Sequence, residues 1–395
     1  MMTTTTNGFP RQLLAQSGKV RWDYFYEKVI VEHRLLAATF TVIKQAIHFS
    51  AGQRVILLCG PTGVGKTTLR RALVKALINE ALPQLETNPG LIPVVIVNAI
   101  APGLRQFDWV DYYTRALTAL NEPLIEHKVF YDDKFDYGAG ISRDHRGRLV
   151  IRSTIAQRDL RSALEKCLKH RRPQVFIVEE GQHLQKIAGG RTLLDQMDTI
   201  KSLTDNSNTL HLLIGPYDLL NLTNLSGQLS RRTRLYHFPR YHVAECQEDL
   251  VSFKRVLKSF QQHLPLLEAP NLLQKWEYIY ERSLGCVGIV KLWLCDALGE
   301  ALANEQKTIT DQCLKNHELS SAQLLQIMHE TEKGEQRFQE IEEQQGQLRD
   351  ALGLSEIASQ TGQTSTNNGK PPGKKRKVGQ RNPERDQIGE NNDDH

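Results

Sequence analysis

The run Gly60-Pro61-Thr62-Gly63-Val64-Gly65-Lys66-Thr67 has the residue types and spacing to hold a chain of phosphates. It fits G-x-x-x-x-G-K-[ST]. Glycines let the backbone wrap closely, so successive N–H groups converge on one anion. A helix opening at Lys66 adds the partial positive charge of its N-terminus. In this reading the loop from Gly60 through Thr68 cradles a nucleotide, with Lys66 on the β- and γ-phosphates and Thr67 on Mg2+. A plain glycine turn between strand and helix would not require all four fixed positions to coincide.

Hydrolysis needs a carboxylate near that loop, and Val175-Phe-Ile-Val178-Glu179-Glu180 supplies a pair. Glu179 is expected in the Mg2+ shell, and Glu180 is expected to orient or deprotonate the attacking water. The metal-side residue is more usually Asp. The extra methylene of Glu179 alters the reach, so the expectation is contact through water and slow turnover. Taken alone, two acids at a strand end read equally well as a solvated surface. The phosphate loop tips the reading towards catalysis.

These residues need rigid elements behind them. Val55–Cys59 is a short continuous apolar run, the mark of a strand buried on both faces. It leads into the loop, and an amphipathic helix with a basic face follows over Thr67–Leu82. Further strands are expected at Leu91–Ile100, Val175–Val178, Leu210–Ile214 and Leu235–Phe238, with helices between them, one over 157–170. Strands alternating with helices predict a parallel sheet covered on both sides, an αβα core. From Trp22 to Ile47 the pattern turns aromatic, at Trp22, Tyr24, Phe25 and Tyr26, and then helical, with apolar residues at Val31, Leu35, Leu36, Phe40, Ile43 and Ile47, so a helix leading into the core is expected. Residues 129–153, rich in Gly, Asp, Tyr and Arg, read as an insertion with a hairpin ending at Leu149–Ile151. Past Pro239 the pattern turns helical through residue 350. Residues 355–395 hold almost no large apolar side chains and read as a disordered tail. The expected layout is an N-terminal arm over 1–48, an αβα core over 49–240, a small all-α lid with C-terminal helices over 241–354, and the tail.

Composition narrows the class. The chain has 395 residues, 40% hydrophobic and 24% charged, which is enough apolar material for a core. No run of 18 apolar residues predicts a membrane span, and the start, MMTTTTNGFPRQ, does not read as a secretory leader. Cys59, Cys167, Cys246, Cys286, Cys295 and Cys313 are scattered, with no CxxC pair, so reduced thiols in a cytoplasmic protein are expected.

Three further segments complete a pattern. Gln228-Leu-Ser-Arg231-Arg232-Thr-Arg234 precedes the fifth strand, Leu212-Leu-Ile-Gly215-Pro216-Tyr ends the fourth, and Gly285-Cys-Val-Gly288-Ile-Val-Lys291 opens a later helix. With GPTGVGKTTL and VEEGQHL, these make the stretch from about Val29 to Gly334 similar to an AAA+ ATPase. Its details resemble the TnsC/TniB family of DNA transposition regulators, some members of which belong to CRISPR-associated transposons. The resemblance implies ATP and Mg2+ as ligands and an arginine finger acting on a neighbouring subunit, Arg232 first and Arg231 second. It places Lys291 at the sensor 2 position, where an Arg is more common, although an ordinary helix lysine reads nearly as well. Pro216 stands where sensor 1 has a polar residue, and it has no side-chain donor. The family's members form nucleotide-bound rings or filaments on double-stranded DNA. They connect a target-selection protein of the TniQ/TnsD kind to the transposase. A bacterial, nucleoid-associated location is implied.

The residues themselves speak for DNA in one place. Residues 141–172 contain ten Lys/Arg against three acids, a net +7 that exceeds the +5 of the whole chain. Arg143, Arg146, Arg148 and Arg152 lie in its loop-like first part, and Arg105 follows the second strand. All five are candidate phosphate contacts. The remainder, Arg158 to Arg172, reads more readily as a solvated helix face. A second basic run, Lys370 to Lys377, lies in the tail. Two other readings remain: another DNA-loaded AAA+ ATPase of the helicase-loader or origin-recognition kind, and a signalling scaffold locked by nucleotide.

Overall fold

A computed structural model describes residues 8–50, 52, 54–101, 107–122, 141–143, 149–151, 153–185, 193–223 and 231–352, with backbone alone for 141–143, 149–151, 153–156 and 342–350. Residues 1–341 form one compact unit and 342–395 a second. Arg105, Arg146, Arg148, Arg152 and the tail over 355–395 lie outside the described residues.

The main sheet has five parallel strands: β1 (Val55–Cys59), β2 (Val94–Asn98), β5 (Val175–Glu179), β6 (Leu210–Gly215) and β7 (Thr233–His237). Their order is β2-β5-β6-β1-β7. The three inner strands are buried along almost their whole length, His211 of β6 included, and alternate side chains feed the two faces. Val55, Leu57 and Cys59 of β1 join Phe176, Val178 and Leu213 in one core, covered by α4 (Trp109–Ala119), α5 (Ser153–Arg171) and α6 (Leu193–Ser207). Ile56 and Leu58 join Ile177, Leu212 and Ile214 on the other face, covered by α2 (Arg34–His48) and α3 (Lys66–Thr87). This is the αβα core expected from the sequence. The strand β2 lies at the edge and is only half buried, which is why its run is shorter than Leu91–Ile100.

Between β2 and β5, β3 (Ile141–Arg143) and β4 (Leu149–Ile151) pair antiparallel, the hairpin read from residues 129–153. After β7 come α7 (Gln247–His263), α8 (Trp276–Ser283), α9 (Val287–Ala303), α10 (Asp311–His317) and α11 (Ser321–Ala351), with no strand among the described residues there. The helices α7 to α10 share a third core that includes Phe253, Leu257, Phe260, Val290, Leu294, Leu298 and Leu314, whereas Phe338 and Ile341 of α11 pack against the first.

The N-terminal segment is not one helix. The helix α1 (Gly18–Asp23) runs into a π-helical turn at Tyr24–Lys28, and extended chain follows before α2. The break turns Phe25 into the third core, against Phe260. Trp22 Nε1 donates to the Cys295 carbonyl at 2.8 Å, tying the arm to α9. All six cysteines are free thiols, five of them buried. Among the described residues no helix is long and apolar enough to cross a membrane.

Candidate nucleotide site

The phosphate loop lies beyond the carboxyl end of β1, between β6 and β7, where open α/β sheets bind ligands. Gly65 caps α3 with φ +116° and offers no side chain to the first turn. The helix therefore begins with amides that its own cap leaves unmet, which suits an anion. Close approach explains two more glycines. A Cβ on Gly60 would lie 2.3 Å from the Phe238 carbonyl oxygen, and one on Gly63 would lie 2.4 Å from Ile289 Cγ1. The opening turn of α9 thus rests directly on the loop, and a Cβ on Gly288 would meet the Gly63 carbonyl oxygen at 2.4 Å.

Lys66 Nζ donates to the carbonyls of Gly60 and Pro61 at 2.9 and 2.8 Å. Burial pushes its ammonium down to about 8, while the charges of Cys286, Glu180 and Cys59 pull the other way. Lys66 follows the carboxyl end of β1 and Glu180 that of β5, with β6 between the two strands. Thr67 and Thr68 occupy the first turn of α3, behind Lys66.

Glu179 and Glu180 sit at the carboxyl end of β5, one strand away from β1 across β6. Glu180 has left-handed backbone, φ +53°, a conformation that costs energy for a residue with a side chain and gathers at functional sites. Gln182 Nε2 donates to Glu180 Oε2 at 2.7 Å and fixes the carboxylate. Glu179 meets Arg70 of α3, with Nε 2.8 Å from Oε1. The sequence reading missed this pair, although Arg70 lies one turn past Lys66 on the basic face it described.

The other predicted residues are placed elsewhere. Lys291 does not face the phosphate loop: its ammonium donates to the carbonyls of Phe25 and Val29 and lies 3.6 Å over the Phe25 ring. Burial lowers its pKa to about 8. The broken N-terminal arm, which the sequence reading did not expect, is what claims it. Pro216 opens the 3-10 turn Tyr217–Leu222. Beside it, Tyr217 Oη and His237 Nε2 share a hydrogen bond of 2.7 Å.

Arg231 and Arg232 stand at the amino end of β7, where Val55 pairs with Thr233, whereas the loop follows Cys59, which pairs with His237. The length of β1, about 3.3 Å per residue, separates them from their own loop. Arg232 is ion-paired with Asp205, and with Arg54 and Arg231 it lines a shallow cavity of about 350 Å³. Arg143 ends β3, and its side chain is not described. Arg158, Lys166 and Lys169 of α5, and Arg172 just past its end, are exposed. Arg161 is bonded to Glu165 and Ser202, and Arg171 to the Gly90 carbonyl.

The residues fit the ligands read from the sequence. The loop offers unmet amides and a buried ammonium to phosphates, and the hydroxyl of Thr67 and the carboxylate of Glu179 are oxygen donors of the kind Mg2+ takes. No group of three or more His, Cys, Asp and Glu that would cage a metal exists among the described residues.

The chain is similar to several solved structures. Against the ADP form of the ORC2 protein of Aeropyrum pernix it is 14% identical, with a TM-score of 0.48 over 76% of this chain and 72% of that one. Against the ORC1 protein of Aeropyrum pernix in complex with DNA it is 16% identical, with a TM-score of 0.48 over 75% and 68%. Against a Walker-type ATPase of Pyrococcus abyssi it is 16% identical, with a TM-score of 0.45 over 79% and 78%. No curated protein matches the chain by sequence. Residues 49–223 match the family model described as an AAA domain, and the chain has the P-loop AAA+ fold.

Proposed function

We propose that this protein is an ATP-hydrolysing AAA+ regulator that assembles on double-stranded DNA and couples a target-selection protein to a transposase. The observation that carries the nucleotide part is the glycine loop at the uncapped start of α3, beyond the carboxyl end of β1, with Glu180 at the carboxyl end of β5 two places along the same sheet. Lys66 exchanges its two loop carbonyls for β- and γ-phosphate oxygens, and the amides of Gly63 to Thr67 surround the β-phosphate. Thr67 and Glu179 would hold Mg2+, which would neutralise phosphate charge when bound. Glu180, fixed by Gln182, orients the attacking water and takes its proton. Because Glu179 is paired with Arg70, it must leave or share that partner to approach the metal, which supports slow turnover.

Arg232, with Arg231 second, serves a neighbouring copy and not its own loop, since both lie at the far end of β1. Release from Asp205 frees the Arg232 guanidinium for a partner's γ-phosphate. The DNA part rests on the charge of residues 141–172, with the hairpin and Arg143 leading and Arg105, Arg146, Arg148 and Arg152 beside it in sequence. Contacts of this kind read the phosphate backbone and carry no base specificity.

The transposition role rests on the sequence resemblance. It is tested by adding the protein to candidate transposases with target DNA and ATP. Stimulation of strand transfer supports it. DNA binding without stimulation of any transposase, together with loading of a helicase, transfers the protein to the helicase-loader reading.

A further inference from the structure

The nucleotide site has a second cation at its border that neither motif reading used. Arg240 follows β7 by three residues, and the segment leading to it abuts the phosphate loop. Phe238 N donates to the Cys59 carbonyl at 2.8 Å, and the Phe238 carbonyl is what excludes a Cβ from Gly60. Arg240 Nη1 donates to the Leu284 carbonyl at 3.3 Å, just before α9, whose first turn rests on Gly63. The guanidinium is thus held between two segments that both touch the loop.

It is buried, its side chain 7% exposed, and α11 neutralises it. Glu335 accepts from Nε at 3.0 Å and from Nη2 at 3.1 Å, a bidentate pair, and His242 Nε2 lies 3.2 Å from the same carboxylate. The helix reaches this place along one narrow stripe. Leu324, Thr331 and Gly334 are buried, and Phe338 stacks on His237 with centroids 4.6 Å apart. Gly334 lies so close to Tyr217 that a Cβ would meet its ring at 2.2 Å. Arg337 Nη2 donates to Asn221 Oδ1 at 3.0 Å. The helix therefore sits on the carboxyl ends of β6 and β7, beside the loop. Its remaining side chains over Ser321–Glu340 are half-buried or exposed.

A guanidinium fork takes a carboxylate or a phosphate in the same bidentate geometry, and the phosphate chain carries more charge. Lys291 is committed to the N-terminal arm and Arg70 to Glu179, so Arg240 is the cation at the loop whose partner comes from a peripheral helix. We propose that Arg240 is a phosphate-binding residue of the nucleotide site, masked by Glu335, and that nucleotide and the seated α11 compete for it. This rests on the reading of Gly60–Thr67 as a nucleotide site. The helix then acts as a clamp that raises the nucleotide concentration needed to fill the site, and filling it loosens α11.

The test measures binding of a fluorescent ATP analogue with Mg2+ to the full-length wild type and to Glu335→Gln, a near-isosteric change. Glu335→Gln binds about fivefold or more tightly than wild type. Arg240→Gln added to it removes the gain. Phe338→Ala, which loosens the helix without touching charge, shifts affinity in the same direction and covers the case in which Glu335→Gln fails to fold. Unchanged or weaker binding by folded Glu335→Gln and Phe338→Ala overturns the clamp while leaving the site intact, and so does a gain that survives loss of Arg240. Wild type that binds no more analogue than Lys66→Ala overturns the nucleotide site itself.

Discussion

Lys66 shows how a functional residue is held at some cost to the fold. Its ammonium is buried against two carbonyls, and burial lowers its pKa from 10.5 to about 8. Between pH 8 and 10.5 the unfolded chain therefore binds more protons at this position than the folded one, so stability at this residue rises with pH through that window. Lys66→Met should remove this slope from the denaturant midpoint measured across that same window, and should also abolish nucleotide binding. An unchanged slope would place the ammonium in water. Glu180→Gln should bind ATP normally and lose turnover by about a hundredfold or more, read in a phosphate-release assay. Normal turnover removes Glu180 from the chemistry. Arg232→Ala should keep nucleotide binding by the monomer and lose hydrolysis and assembly, followed by sedimentation in the presence of ATP. If Arg231→Ala does so instead, the finger is the neighbouring residue.

At this scale the sequence was most informative where chemistry fixes spacing. The loop and Glu179-Glu180 stood out because the fixed spacing G-x-x-x-x-G-K-[ST] and an acid pair at the end of an apolar run are rare in sequence, and the structure sets both at the carboxyl ends of strands. Lys291 could not be placed, because its fate depends on an aromatic arm far away in the chain. The partners Arg70 and Arg240 were equally hidden: an arginine in sequence carries no sign of which carboxylate it will meet.

The elements divide along the same line. The inner strands β1, β5 and β6 were legible as nearly continuous apolar runs, broken only by His211 in β6, because a strand covered on both faces has no polar side to alternate. The edge strand β2 was drawn too long, since one of its sides is partly exposed and sets no limit in the pattern. The helix after the arm was legible from the spacing of Leu35, Leu36, Phe40, Ile43 and Ile47, whereas the π-turn at Tyr24–Lys28 that aims Phe25 inwards leaves no mark in the sequence. The hairpin β3–β4 was anticipated from its composition, and it carries the basic stretch forward between β2 and β5. Neutralising Arg143, Arg146 and Arg148 together should weaken binding to duplexes of every sequence alike. The dependence of log K on log salt should flatten by about 1 for each DNA phosphate that is no longer neutralised. A salt slope equal to that of wild type returns these arginines to the surface.

At the scale of the whole molecule, the proposed site is one that a neighbouring copy would complete. The phosphate loop and Glu180 lie at the carboxyl ends of the strands, and the paired arginines lie at the opposite end of β7. The lid helix α9 touches the loop through Gly288 and Ile289, and the C-terminal helix reaches the adjoining strand ends through Glu335 and Phe338. Nucleotide at the loop is thereby in contact with the lid and next to the last helix, which gives binding a route to change the surfaces a partner would meet. The most direct test images the purified full-length protein with duplex DNA by electron microscopy, with a slowly hydrolysed ATP analogue and without nucleotide, alongside Lys66→Ala. Rings or filaments on DNA that need both nucleotide and Lys66 are the predicted result. Single subunits that bind the analogue and leave DNA bare, or assemblies that form equally well without nucleotide, contradict the account.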